Sequence, residues 1–162
     1  MDRAMKASED EDALVIRAVR ATDVPQVIAL DQRITGLAKA EYWKQAYERY
    51  GRTRPNERFF LVAVPASKKA GRRVLGFIIG EIRAWEFGSE PCGWVFALSV
   101  DPDARLLGVG ERLFLAMSER FKQAGMTKMR TMVARDNRLH SLFFRGEGMM
   151  AGPYIQLEKD LS

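Results

Sequence analysis

From residue 14 onward, apolar positions either alternate or recur at helical spacing along most of the chain. Leu14-Val15-Ile16-Arg17-Ala18-Val19 predicts a first strand. Thr22-Asp23-Val24-Pro25 reads as a helix start, with a capping hydroxyl or carboxylate ahead of a first-turn proline. Val27, Ile28, Leu30 and Ile34 supply that helix's apolar face, and Gly36 breaks the run. A second helix is predicted from Ala38 to Tyr50, ending at Gly51. The pattern then changes to strands. Phe59 to Val64 is one, stopped by Pro65, and Val74 to Arg83 is its hairpin partner across a solvated basic turn at Lys68–Arg73. Gly93 to Val100 is apolar on both faces, as a central strand should be. Leu113, Met117 and Phe121 recur every four residues, joined by Phe114, in a helix from Glu111 to Ala124 that Gly125 closes. A strand at Met129–Ala134, a short helix at Asn137–Arg145 and a final strand at Tyr154–Glu158 complete the order. The expected architecture is α/β (α+β): one domain over residues 14–162, a mixed sheet with helices on its faces.

Charge changes this picture at one place. Residues 1–13 hold five acids against Arg3 and Lys6, which predicts a disordered acidic tail. The remaining body carries 24 Lys and Arg against 16 Asp and Glu, so an anionic partner or substrate is expected: nucleic acid, an acidic membrane surface or a phosphate-bearing cofactor. A single cysteine, Cys92, excludes an intrachain disulfide, and with His140 as the only histidine no metal site is expected. Cys92 reads as a small buried apolar residue and His140 as a packing residue. No apolar run reaches the roughly 18 residues of a membrane span, and the charged N-terminus has no signal-like stretch. A reduced, cytoplasmic setting without membrane contact follows as the expectation.

The richest chemistry lies where the strand ending in Leu98-Ser99-Val100 leads through Asp101-Pro102-Asp103-Ala104 into Arg105-Leu106-Leu107-Gly108-Val109-Gly110-Glu111. Two glycines one residue apart open a long helix, whose first turn presents free N–H groups and the positive end of the dipole. A pyrophosphate suits such a place. A Walker loop is excluded because Glu111-Arg112 stands where Lys-Ser/Thr is required. A dinucleotide fingerprint fails because Leu113 takes the third small position and the next strand ends in Ala134-Arg135 without an acid.

Arg105-Leu106-Leu107-Gly108-Val109-Gly110 resembles the Arg/Gln-x-x-Gly-x-Gly/Ala signature of the GNAT superfamily of N-acetyltransferases. Asn137, Phe143-Phe144 and Gly148-Met149 are similar to that family's second segment with every spacing kept, and the element order fits from residue 14 to residue 159. The resemblance implies a mostly antiparallel mixed sheet splayed at two central strands, with acetyl-CoA as co-substrate lying along one of them. It assigns Leu98, Ser99 and Val100 to the strand that pairs with the pantetheine arm, with an N–H near Leu98 facing the thioester oxygen. It assigns Leu106, Leu107, Gly108, Val109, Gly110 and Glu111 to the pyrophosphate loop and Asn137 to a contact with the cofactor arm, with Phe144 beside it. Arg105, Arg112 and Arg138 are candidates for the 3′-phosphate. The amine attacks directly in that family, which suits a sequence with no evident nucleophile–base pair.

Three family positions differ. The tyrosine that protonates the leaving thiolate in many members is Phe144, which has no proton to give; water, Ser99 or Tyr154 is the alternative donor, or the thiolate leaves unprotonated. Glutamates that act as base in some members are replaced by Met132 and Trp94, which leaves Glu81, Glu86 and Glu90 as carboxylate candidates, Glu81 first, with deprotonation through water as the competing route. The acceptor pocket is expected around Ile34-Thr35-Gly36, Tyr42-Trp43 and Trp85, although Trp43 and Tyr47 also read simply as core anchors. The expected function is acetyl transfer from acetyl-CoA to a primary amine of a small molecule or protein. A non-catalytic acyl-CoA-binding or regulatory module is the alternative. Nucleic-acid binding ranks last, since no basic and aromatic residues interleave. Dimers are common in the family, so a homodimer is an expectation from the resemblance alone.

Overall fold

The computed structural model describes residues 13–67 and 73–162. The acidic tail up to residue 12 and the turn at residues 68–72 lie outside the described residues. Two compact units are present, one running to Met132 and one comprising Val133–Ser162.

The first unit is built on five strands in sequential order: β1 (Leu14–Ala18), β2 (Arg58–Pro65), β3 (Gly76–Arg83), β4 (Cys92–Val100) and β5 (Met129–Thr131). The first four pair antiparallel, and β4 pairs with β5 in parallel, giving the expected open mixed sheet. Alternation sorts the side chains to two faces. Phe59, Leu61 and Ala63 of β2 and Ile78 of β3 join Val109, Leu113, Met117 and Phe121 of the helix α3 (Val109–Gln123) in one core. Phe60, Val62 and Val64, with Phe77 and Ile79, face Val27 and Leu30 of α1 (Val24–Thr35) and Trp43 and Ala46 of α2 (Ala40–Ala46) in the other. Both helical layers follow from the sequence periodicity.

Several boundaries differ from expectation for local reasons. Asp23 precedes α1 but does not cap it: its buried carboxylate takes two bonds from Arg17, at 2.7 and 3.0 Å, and one from the Arg20 amide at 2.7 Å. The second helix is α-helical only to Ala46 and ends as a π-turn, Tyr47–Gly51. Trp43 is buried in the core beneath the first two helices, with its indole N–H donated to Asp31 at 2.9 Å.

The second unit contains α4 (Arg138–Gly146), the short helix expected here, with Asn137 capping it through its side chain rather than forming its first residue. The strand expected at Tyr154–Glu158 is not formed. Residues 151–162 carry no regular structure, and every one of them is exposed. An alternating segment becomes a strand only with an edge to pair with, and no sheet forms within this unit.

Candidate functional site

The two ends of β4 differ in what borders them. Pairing with β5 covers Gly93, Trp94 and Val95 only, and Thr131 closes it by donating its hydroxyl to the Val95 carbonyl at 2.8 Å. At the next residue the ladder to β3 slips: Ile79 faces Ala97 and Gly80 faces Val95, so Phe96 is an extra, bulged residue. Beyond it, β4 runs on to Val100 past the end of the β5 pairing. The Asp101 amide donates to the Leu75 carbonyl at 2.7 Å, which fixes the parity of the ladder. Ala97 and Ser99 therefore turn their N–H and C=O groups toward β3, and Leu98 and Val100 turn theirs toward the edge that β5 leaves. This is the parting of strands expected of the sheet, and it leaves Leu98 and Val100 where a guest strand would find them. The Ser99 side chain lies on the face shared with Ala97 and Phe77, and those of Leu98 and Val100 on the α3 face.

Helix α3 begins at the same end. A Cβ on Gly76, the residue opposite Val100, would lie 3.0 Å from Val109 and 3.1 Å from Leu113, both in the first turns of α3. Further along, Met117 and Phe121 rest on Gly80, and the Phe121 ring occupies the space above Gly93. The helix thus runs antiparallel to β4, with its N-terminus beside the open edge. Pro102–Leu107 forms a 3-10 segment, and Gly108 then takes a left-handed conformation (φ 69°) that starts α3. No side chain caps this N-terminus, so the Val109, Gly110 and Glu111 amides have no intrahelical acceptor. Arg105, Leu106, Leu107 and Glu111 are all exposed around it. A donor set of backbone N–H groups at a positive dipole end, continuous with an open strand edge, fits a pyrophosphate joined to an extended amide-bearing arm.

A group of residues not singled out in the sequence holds this loop. Asp101 is buried and accepts from the Asp103 amide at 2.9 Å and from Arg33 of α1 at 2.9 Å, with a close pairing to Arg73. Arg33 also bonds Asp103 at 2.8 Å. Burial alone would raise the Asp101 carboxyl; the Asp103 amide and the two guanidiniums outweigh it and hold the acid below its usual range. Only its place at the strand end marked Asp101 in the sequence, since its partners lie 28 and 68 positions away.

Glu81 sits on the opposite face from α3, next to the bulge. Arg83 bonds it at 3.3 Å and Arg58 approaches to 3.8 Å. Glu86 and Glu90 lie in the exposed β3–β4 connection, as does Trp85, on a left-handed backbone (φ 60°). Tyr42 is exposed, and its neighbour Trp43 is core. Cys92 is buried as expected, accepting from Arg130 at 3.4 Å. In the second unit, Asn137 uses its side chain on its own helix, accepting from the His140 amide at 3.0 Å and lying 3.2 Å from the His140 ring. Phe144 is buried, edge-on to Phe143. Among the described residues no cluster of His, Cys, Asp and Glu could hold a metal ion, and no helix is long and apolar enough to cross a membrane.

The Acetyltransferase (GNAT) family profile matches residues 24–145, which takes in Arg105–Gly110 and the second segment as far as Phe143-Phe144. The chain belongs to the GNAT acetyltransferase family. A mycothiol acetyltransferase from Saccharomonospora viridis is 30% identical over 139 residues, 83% of this chain. The chain spans only 40% of that relative's length. Among solved structures, an aminoglycoside N-acetyltransferase in complex with CoA superposes with a TM-score of 0.76 at 16% identity, covering 91% of this chain and 95% of that one. A glucosamine-6-phosphate N-acetyltransferase from Arabidopsis thaliana gives 0.70 at 18% identity, covering 93% and 99%. These GNAT likenesses establish the fold.

Proposed function

We propose that this GNAT chain transfers an acetyl group from acetyl-CoA to a primary amine. The observation that carries the reading is the open edge of β4 at Leu98 and Val100, continuous with the uncapped N-terminus of α3. Acetyl-CoA supplies the acyl group: the amine nitrogen bonds to the acyl carbon, the C–S bond breaks, and sulfur leaves with the electron pair. The Val109, Gly110 and Glu111 amides hold the pyrophosphate, and Arg105 lies in the same loop for further phosphate contact. The edge groups of Leu98 and Val100 hold the arm as a strand partner, and the Leu98 N–H faces the oxygen on which charge develops, the kind of donor worth about 10²–10³ in rate. Glu81, the carboxylate beside the bulge, takes the ammonium proton through water. Ser99, next to Leu98, is the hydroxyl available to protonate the departing thiolate in place of the aromatic hydroxyl that Phe144 lacks. Asn137 is assigned to the cofactor arm through the family motif.

Calorimetry with acetyl-CoA, followed by free-thiol release across a panel of amines, tests the reading. Sub-millimolar binding and amine-dependent thiol release are expected. No binding removes the reading, whereas binding without release for any amine favours a non-catalytic acyl-CoA-binding module.

A further inference from the structure

The chemistry around Glu81 says what kind of amine this site takes. On the face away from α3, Arg58, Glu81 and Trp94 form one cross-strand row, Arg58 opposite Glu81 and Glu81 opposite Trp94. Arg83, two residues along β3, shares that face, bonds Glu81 at 3.3 Å and lies 4.9 Å over the Trp94 ring. Tyr50 of the π-turn closes the row, its ring tilted against the bulged Phe96 at 4.8 Å and flanked by the Arg49 and Arg58 guanidiniums at 5.5 and 5.7 Å. The Arg83 and Glu81 side chains are about one-third and one-sixth exposed, so both reach solvent.

This row borders the acyl end of the donor site. With phosphates at the Val100 end of β4, the acyl group lies toward Phe96, and the α3 face is already filled there by Phe121 and Met117. An incoming amine therefore arrives on the face that carries Glu81, Trp94 and Phe96. One carboxylate between two guanidiniums leaves that face with a net positive charge and with N–H donors to spare: each guanidinium has five, Arg83 gives Glu81 only its Nε–H, and Arg58, 3.8 Å from Glu81, gives only its Nη1 to the Arg49 carbonyl and the Thr53 hydroxyl at 3.3 and 3.2 Å. A polycationic acceptor meets repulsion here. An amine that also bears an anionic group complements the row at both ends, its ammonium on Glu81 and its anion on Arg83 and Arg58.

Resting on the acetyl-transfer reading, we propose that the acceptor is a zwitterionic amine, one carrying a carboxylate or a phosphate a few bonds from its nitrogen. The anion draws the guanidiniums off Glu81 as it binds, which frees the carboxylate for the ammonium.

The test is calorimetric binding in the presence of CoA, with four probes: glucosamine 6-phosphate, a set of α-amino acids, neutral glucosamine and the polycation sisomicin. At least one anionic class should bind about tenfold or more tightly than glucosamine, with sisomicin weakest. Preference for the phosphate arm identifies phosphorylated amines, and preference for the amino acids identifies carboxylates; either supports the proposal. Arg83→Gln should erase the preference and Arg83→Lys should restore part of it, with acetyl-CoA affinity as the control for an intact fold. Glucosamine or sisomicin binding as tightly as every anionic probe, or an unchanged preference in Arg83→Gln, overturns the proposal. Loss of acetyl-CoA binding by the unaltered protein would instead fault the acetyl-transfer reading beneath it.

Discussion

The two halves of β4 carry the same kind of sequence and do different things. From Gly93 to Val95 the strand is paired on both sides, and its glycine exists because the Phe121 ring fills the place of a side chain. From Ala97 to Val100 it is paired with β3 alone, and what it offers is main chain. The bulge at Phe96 separates a half that holds the fold from a half that holds a guest. Glycines divide in the same way: Gly93 serves packing, and Gly108 serves the turn that aims the helix amides.

Substitutions at these glycines should break that contrast in opposite directions. The largest effect is expected at Gly110, in the first turn of α3. Gly110→Asp sets a carboxylate against a bound pyrophosphate and should lower acetyl-CoA affinity about 100-fold or more, since like charges about 4 Å apart repel strongly even at a partly wet site. Its melting temperature should hold, because an acid near a helix N-terminus is mildly favourable. Gly93→Ala should do the reverse. A methyl there overlaps the Phe121 ring, and overpacking of this kind costs about 1–3 kcal/mol, which denaturant titration measures with the donor-site amides untouched. Equal loss of binding and stability in both variants would deny the division.

A smaller effect separates the buried acids from the rest. Asp23 is held below its ordinary range: burial would raise it, and Arg17 and the Arg20 amide outweigh that. Asp101 is held low in the same manner by the Asp103 amide and its two arginines. Acids depressed in the folded state give stability that is complete above the unfolded value near 3.9 and is lost as pH falls through and below it. Melting temperature should therefore be flat from about pH 7 to about pH 5 and fall below about pH 4, and Asp23→Asn should lessen that fall. A rise in melting temperature on acidification would contradict both assignments.

Legibility in the sequence followed the range of the interactions. Leu113, Met117 and Phe121 announced α3, and Gly108 and Gly110 its N-terminus, because helix periodicity and turn chemistry are local. The Asp101–Arg33–Arg73 clasp and the Arg58–Glu81–Arg83 row were not legible, since the first depends on how α1 packs beside the end of β4 and the second on strand register. Tyr154–Glu158 shows the converse: its alternation was plain, but alternation does not supply the edge a strand needs.

Amide hydrogen exchange, resolved by residue with and without acetyl-CoA, tests the central claim most directly. Leu98 and Val100, with Val109, Gly110 and Glu111, should gain protection on binding, and Ala97 and Ser99, already turned toward β3, should change little. Protection that ignores this alternation, or none along β4 and the first turn of α3, would contradict the account.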